Sequence, residues 1–277
     1  SELYFYAPFI NGCPGCGTYG TYVELYNNSD TTVYLDGMLS FRTGNNMLTS
    51  WPNFPCSVSA AKRLDPEGLW VPYLERFPGT GRDYPVRPGT AVVWAMDAVD
   101  MSSLGLLELS HANFESIGGS ADPDNPSAAN MERITAMYYG PHGDGLIPPG
   151  LFGVALPIAR DTTQLERARL PSPAGTGVLY SHFRIPREAI LDVAGMRRPP
   201  DVEMGLGAYQ AGGRVCEPFA LPVFELAESR LAWESNPLAV SRRSLGFTPD
   251  GREILQRTRN SARDFVLATP LLRSLRK

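Results

Sequence analysis

The 277-residue chain has no apolar run of about eighteen residues, so no helix here can cross a bilayer. Histidine is scarce. His111, His142 and His182 are scattered, and none has a second His or a Cys at metal-ligand spacing. Ser110–His111 and Ser181–His182 are neighbours without a G-x-S-x-G elbow, so the frame of a nucleophile and its base is missing. Phe77-Pro-Gly-Thr-Gly-Arg stops short of the Lys-Ser/Thr ending of a phosphate loop. The carboxylate pairs Asp97/Asp100 and Asp36/Glu24 have no spacing that separates an acid and a base from solvated loop residues. Lysine is nearly absent, and the arginine that replaces it suits planar, bidentate contacts at interfaces. These gaps leave no recognisable catalytic constellation.

What is plentiful is turn chemistry. Gly 27 and Pro 25, with 43% hydrophobic and 19% charged residues, describe a folded chain of many short strands and loops. Leu3-Tyr-Phe-Tyr-Ala-Pro reads as an aromatic strand, and Thr21 to Tyr26 as an alternating one that ends in a polar turn. Thr32 to Phe41 reads as a further strand. Pro85-Val-Arg-Pro-Gly and Ile147-Pro-Pro-Gly both open onto apolar strands, as in the core of a sandwich. Short helices are expected at Ile185–Val193 and at Thr162–Leu170, while Arg252–Arg259 fits a helical turn or a strand. The expected fold is an all-β, immunoglobulin-like sandwich with long loops and a few short helices. No linker divides the chain, which predicts one domain over 1–277 with a large central insertion at about 100–235.

Four cysteines are present, Cys13, Cys16, Cys56 and Cys216. Cys13-Pro-Gly-Cys16 has redox spacing but leads into a strand, without the helix dipole that stabilises a thiolate. A zinc site would need a second close pair. The preferred reading is a local Cys13–Cys16 disulfide and a Cys56–Cys216 bridge, in an oxidising compartment. Asp122, Asp124 and Asn125, in Asp-Pro-Asp-Asn-Pro, offer alternating oxygens for Ca²⁺, or else cap local N–H groups as an Asx-turn. No other cofactor is expected. Tyr4 and Tyr6 share one strand face, as do Tyr22 and Tyr26, so these rings form either a stacking platform for a partner or part of the core. Charge is uneven: nine basic and three acidic residues from 242 to 277 give +6, which leaves −10 for the rest of a chain of net charge −4. Arg273, Arg276 and Lys277 at that basic end are candidate contacts with an acidic partner or lipid headgroups.

Several phrases together carry a resemblance. Tyr22-Val-Glu-Leu-Tyr-Asn-Asn-Ser-Asp followed by Val33-Tyr-Leu-Asp-Gly resembles the opening of a lamin-tail domain. Tyr84-Pro-Val-Arg-Pro-Gly, Leu109-Ser-His-Ala-Asn-Phe-Glu, Asp122-Pro-Asp-Asn-Pro, Ile185-Pro-Arg-Glu-Ala-Ile-Leu-Asp-Val, Ser241-Arg-Arg and Leu255-Gln-Arg-Thr-Arg-Asn-Ser-Ala-Arg-Asp-Phe extend it from about Leu3 to Pro270. The chain resembles a lamin-tail-like family of uncharacterised exported lipoproteins of Bacteroidota and neighbouring phyla. It departs at Met101, where the family carries His, and at Arg257, where it carries Asp. The resemblance implies an immunoglobulin-like sandwich, export and an accessory role beside outer-membrane machinery, and it implies no reaction.

The function expected is a non-catalytic, extracytoplasmic binding or structural subunit, periplasmic or on the outer surface, that docks onto a larger membrane-embedded protein complex. No nucleic-acid partner is expected from the overall charge. One alternative is a glycan-binding or Ca²⁺-stabilised adhesion module, motivated by the tyrosines and the Asp122 turn. Another is a hydrolase with an unfamiliar site, supported only by the supply of carboxylates and histidines.

Overall fold

The computed structural model describes residues 1–4, 20–42, 67–71, 73–116, 124–134, 150–158, 164–171, 179–196 and 237–275. Strands dominate. They are β1 (Glu2–Tyr4), β2 (Tyr22–Tyr26), β3 (Val33–Tyr34), β4 (Leu39–Arg42), β5 (Gly68–Val71), β6 (Tyr73–Arg76), β7 (Pro85–Val86), β8 (Ala91–Ala95), β9 (Phe114–Glu115) and β10 (Ala129–Asn130). They continue as β11 (Glu132–Arg133), β12 (Gly150–Ala155), β13 (Arg167–Pro171), β14 (Leu179–Pro186), β15 (Ile190–Met196), β16 (Ala239–Arg242), β17 (Ser244–Phe247), β18 (Glu253–Leu255) and β19 (Phe265–Ala268). Helix is confined to one turn, α1 (Ser261–Asp264), and short 3-10 segments.

The protein is an all-β sandwich. A seven-stranded sheet runs β10-β9-β8-β2-β1-β16-β19, and a five-stranded sheet runs β11-β6-β4-β12-β15. Period-two alternation explains how they pack. Val23 on β2, Trp94 on β8 and Leu3 on β1 point toward Phe152 and Ala194 of the five-stranded sheet, and these residues form one buried cluster. Phe77 stands edge-on to Trp94 and Phe114, at ring separations of 6.1 and 5.0 Å. Each such pair adds about 1 kcal/mol beyond its buried area.

The other face of the five-stranded sheet is also covered. Leu39, Phe41 and Leu74 pack there against Leu69, Val71, Phe183 and Ile185 of a third sheet, β13-β14-β5. Strands of the middle sheet are therefore apolar on both faces, which accounts for the continuous apolar run from Phe152 to Ala155. At Gly153 a Cβ would run into the Phe41 ring and come within 2.8 Å of the Asp192 carbonyl oxygen, so only glycine fits. The opening and closing phrases meet in one sheet, because β1 pairs with β16 and β16 with β19.

The two Pro-Gly phrases lead into β8 and β12 as the sequence suggests. The helix expected at Ile185–Val193 is instead the end of β14, a 3-10 turn at Arg187–Ala189, and β15. Here β14 pairs with β5 and β15 with β12, and these ladders override a weak helical pattern. Likewise, in the helix expected at Thr162–Leu170, the stretch from Arg167 is β13, paired Arg167 to Phe183. Thr32–Phe41 is two strands rather than one, broken where Gly37 takes φ +71°.

Candidate functional site

The outer face of the seven-stranded sheet is closed by the chain's own C-terminal segment. Tyr4 and Tyr22 stack there at 5.4 Å, fully buried, and are core residues rather than a platform for a ligand. The Tyr22 hydroxyl donates to Glu2, as does the Ser241 hydroxyl, and the Leu271 N–H donates to the same carboxylate at 2.9 Å. Burial first, and Glu2 beside it second, push the Tyr22 phenol far above its usual range. Tyr26 is half-buried and donates its hydroxyl to the Glu253 carbonyl at 2.6 Å. Tyr6 lies outside the described residues.

Arg273 belongs to this closure and faces inward. Its guanidinium bonds Glu253 at 2.8 Å and the buried Glu24 at 3.2 Å, on the same sheet face as Tyr22. Burial disfavours its charge, but the two carboxylates outweigh that and hold its pKa above the ordinary value. It therefore fastens residues 271–274 to the sheet and is not a free contact. Arg276 and Lys277 lie outside the described residues.

Beside this clasp stands the hairpin β17–β18. Its turn, Thr248-Pro-Asp-Gly, is closed by Gly251 N–H to Thr248 O and Thr248 N–H to Arg252 O, at 2.9 and 2.8 Å. The inner strand, β18, is fixed to the body. The Asn28 side chain pairs with both backbone groups of Leu255, at 3.0 and 2.9 Å, as a neighbouring strand would. Arg252 crosses Gly89, where a Cβ would come within 2.6 Å of its Cγ, and donates to the Asn28 carbonyl at 2.9 Å.

The outer strand, β17, faces solvent. Leu245 is 64% exposed and Phe247 69%, the two most exposed large apolar side chains among the described residues. A bulge at Leu245 and the Gly246 N–H bonded to Ser244 Oγ blunt the edge against further strand pairing.

Arginines surround the hairpin's base. Arg243, Arg257, Arg259 and Arg263 are exposed, and none is in an ion pair among the described residues. Arg242, in contrast, is buried. It lies 4.4 Å over the Phe265 ring and bonds Asp192 at 2.6 Å and Asp264 at 3.2 Å. Asp264 also accepts the N–H groups of Thr258 and Arg259, at 2.8 and 3.1 Å, which holds Arg259 at φ +67°. The closing phrase is thus a loop wound around one buried aspartate. Arg257 reaches out of that loop to the Leu191 carbonyl.

A separate cleft of about 410 Å³ opens between the 83–85 segment and the loops before β9 and β10. Asp124 is exposed and accepts from Asn130 at 2.9 Å, while Asn125 sits behind the cleft. Both Nδ2 hydrogens of Asn125 are used, on the Ala98 and Ser110 carbonyls, and its Oδ1 accepts the Ser127 N–H at 3.0 Å. At Asn125 that is an Asx-turn. Asp122 and all four cysteines, Cys13, Cys16, Cys56 and Cys216, lie outside the described residues. Among the described residues no group of three His, Cys, Asp or Glu could hold a metal.

Neither Leu245 nor Phe247 stands out in the sequence. The Thr-Pro-Asp-Gly turn marks a hairpin, but its exposure depends on which strand the Asn28 side chain captures, 227 residues away.

No protein-family model matches the chain, and no curated protein matches it. Among solved structures, it is similar to the crystal structure of a DUF4876 family protein from Bacteroides thetaiotaomicron, with a TM-score of 0.64 at 20% identity over 98% of this chain and 71% of that one. At that identity the likeness concerns the fold.

Proposed function

We propose that the protein is a non-catalytic, extracytoplasmic binding or structural subunit that docks onto a larger, membrane-embedded assembly. The observation that supports it is the β17–β18 hairpin. It presents Leu245 and Phe247 to solvent from a strand that is rigidly fastened through Asn28 and Arg252. A fixed apolar and aromatic pair on a hairpin with exposed arginines at its base has the composition of a protein–protein contact. The basic rim on a chain of net charge −4 selects an acidic partner surface. The exported setting, the lipoprotein-like character and the lamin-tail relationship extend the sequence resemblance, and the disulfides extend the reading of the four cysteines. A structural neighbour from a Bacteroides species agrees with the Bacteroidota part of that resemblance.

The test is a mild-detergent pull-down from native membranes, run side by side with wild-type protein and Leu245→Ser/Phe247→Ser. We expect a stoichiometric membrane protein with the wild type, lost with the double variant, whose melting temperature is unchanged because both side chains already face water. Retention of the same proteins by both forms, or by neither, contradicts the proposal.

A further inference from the structure

The cleft is built by two buried fastenings, one behind each wall. On one side Asp36 accepts the backbone N–H groups of Gly81, Asp83 and Tyr84 at 3.0, 2.8 and 3.0 Å, which fixes the segment that carries Tyr84. On the other, buried Glu115 accepts the N–H groups of Ala98 and Asn125 at 3.0 and 2.8 Å. Asn125 in turn holds the Ser110 carbonyl at 2.9 Å, so the loop that carries His111 is tied down as well. Three phrases far apart in sequence, Tyr84-Pro, Ser110-His-Ala-Asn-Phe and Ser127, are thereby held around one space.

The fastenings engage backbone groups and leave the cleft's side chains unoccupied. Among the described residues His111 makes no hydrogen bond through either ring nitrogen, and neither do the hydroxyls of Ser110 and Ser127. Asn113 uses only its Oδ1, on the Val93 N–H at 2.9 Å, so its Nδ2 donor is unused. The apolar part is the half-buried Tyr84 ring, backed by buried Phe114 at 5.0 Å, with Leu35, Pro85 and Val92 beside it. No lysine or arginine lines the cleft among the described residues, and its one charged residue, Asp83, already accepts from Thr80 at 2.9 Å. A volume of about 410 Å³ lies in the range of small-ligand sites.

We infer that this cleft binds a neutral sugar, one residue or a short segment of a glycan. Neutral hydroxyls match unused donors and acceptors that carry no cation for a phosphate or a carboxylate. The C–H face of a pyranose matches the Tyr84 ring. The rigid walls lower the ordering cost that weak polar contacts would otherwise have to overcome. The site shares no residue with β17 or β18, so it stands or falls apart from the docking proposal. With Tyr4 and Tyr22 in the core, it assigns ring stacking to Tyr84 instead.

The experiment applies the full chain to an array of neutral and acidic glycans, alongside His111→Ala/Ser127→Ala and Ser127→Trp. Both altered side chains are exposed and hold no partner among the described residues, so the variants keep the wild-type melting temperature. We expect wild-type binding to a set of neutral glycans that share a sugar unit. Loss of two hydrogen bonds weakens it about tenfold in the double alanine variant, and the tryptophan that fills the cleft abolishes it. No signal from wild type, binding confined to acidic glycans, or undiminished binding by both variants overturns the inference. Each of those results leaves the membrane pull-down free to succeed or fail by itself.

Discussion

Asp36 shows how a single side chain takes over the work of a stretch of ladder. Burial raises the cost of its charge, but the three N–H donors it collects outweigh this and hold its carboxyl below the ordinary aspartate value. Gly79 makes room for it, since a Cβ there would come within 2.8 Å of Asp36 Cγ. The sign of the pH effect follows. A carboxyl whose folded pKa is depressed contributes stability above its unfolded pKa of about 3.9 and loses it as the pH falls through the folded value. Asp36→Asn should cost about 2 kcal/mol at neutral pH, because charge-assisted bonds become neutral ones. Urea midpoints for both proteins should converge as the pH drops below about 4. A gap that stays constant down to low pH would show that the charge plays no part.

At the scale of elements, the C-terminal segment is a clasp. Glu2 and Glu24 project from β1 and β2 onto the outer sheet face, and Leu271 N–H and Arg273 close over them. Glu24 is 0% exposed, so removing its cation strands a carboxylate in the interior. Arg273→Ala should therefore cost about 3 kcal/mol, the typical penalty for breaking a buried pair, with little dependence on salt. Denaturation at low and high ionic strength measures both. A loss under about 0.5 kcal/mol would place Arg273 among ordinary surface pairs.

Elements with local signals were legible in the sequence. The Pro-Gly turns before β8 and β12, and the alternation of Tyr22 to Tyr26, are decided within a few residues. The strands at Arg167 and Ile190 were not, because their partners β14 and β12 decide them and a Pro-Arg-Glu start imitates a helix. The tyrosines illustrate the same limit: a shared strand face is readable, but whether that face meets water depends on residues 271–273 folding back across it. Neither the cleft nor the clasp could be read, since each joins residues that are neighbours only in space.

Considered whole, the protein stacks three sheets, with the five-stranded sheet apolar on both faces and the seven-stranded sheet closed by loops and its own C-terminal segment. Two features stand outside that packing, the exposed hairpin on the basic side and the fastened cleft. We propose docking for the first and sugar binding for the second.

The most direct measurement on the docking claim is site-specific photo-crosslinking in intact cells, with Phe247→p-benzoylphenylalanine compared against the same replacement at Leu104, which is 43% exposed and belongs to a different loop. Docking through the hairpin gives one discrete membrane-protein adduct from position 247 and none from 104. An adduct from 104 with nothing from 247, or the same adducts from both, would contradict it.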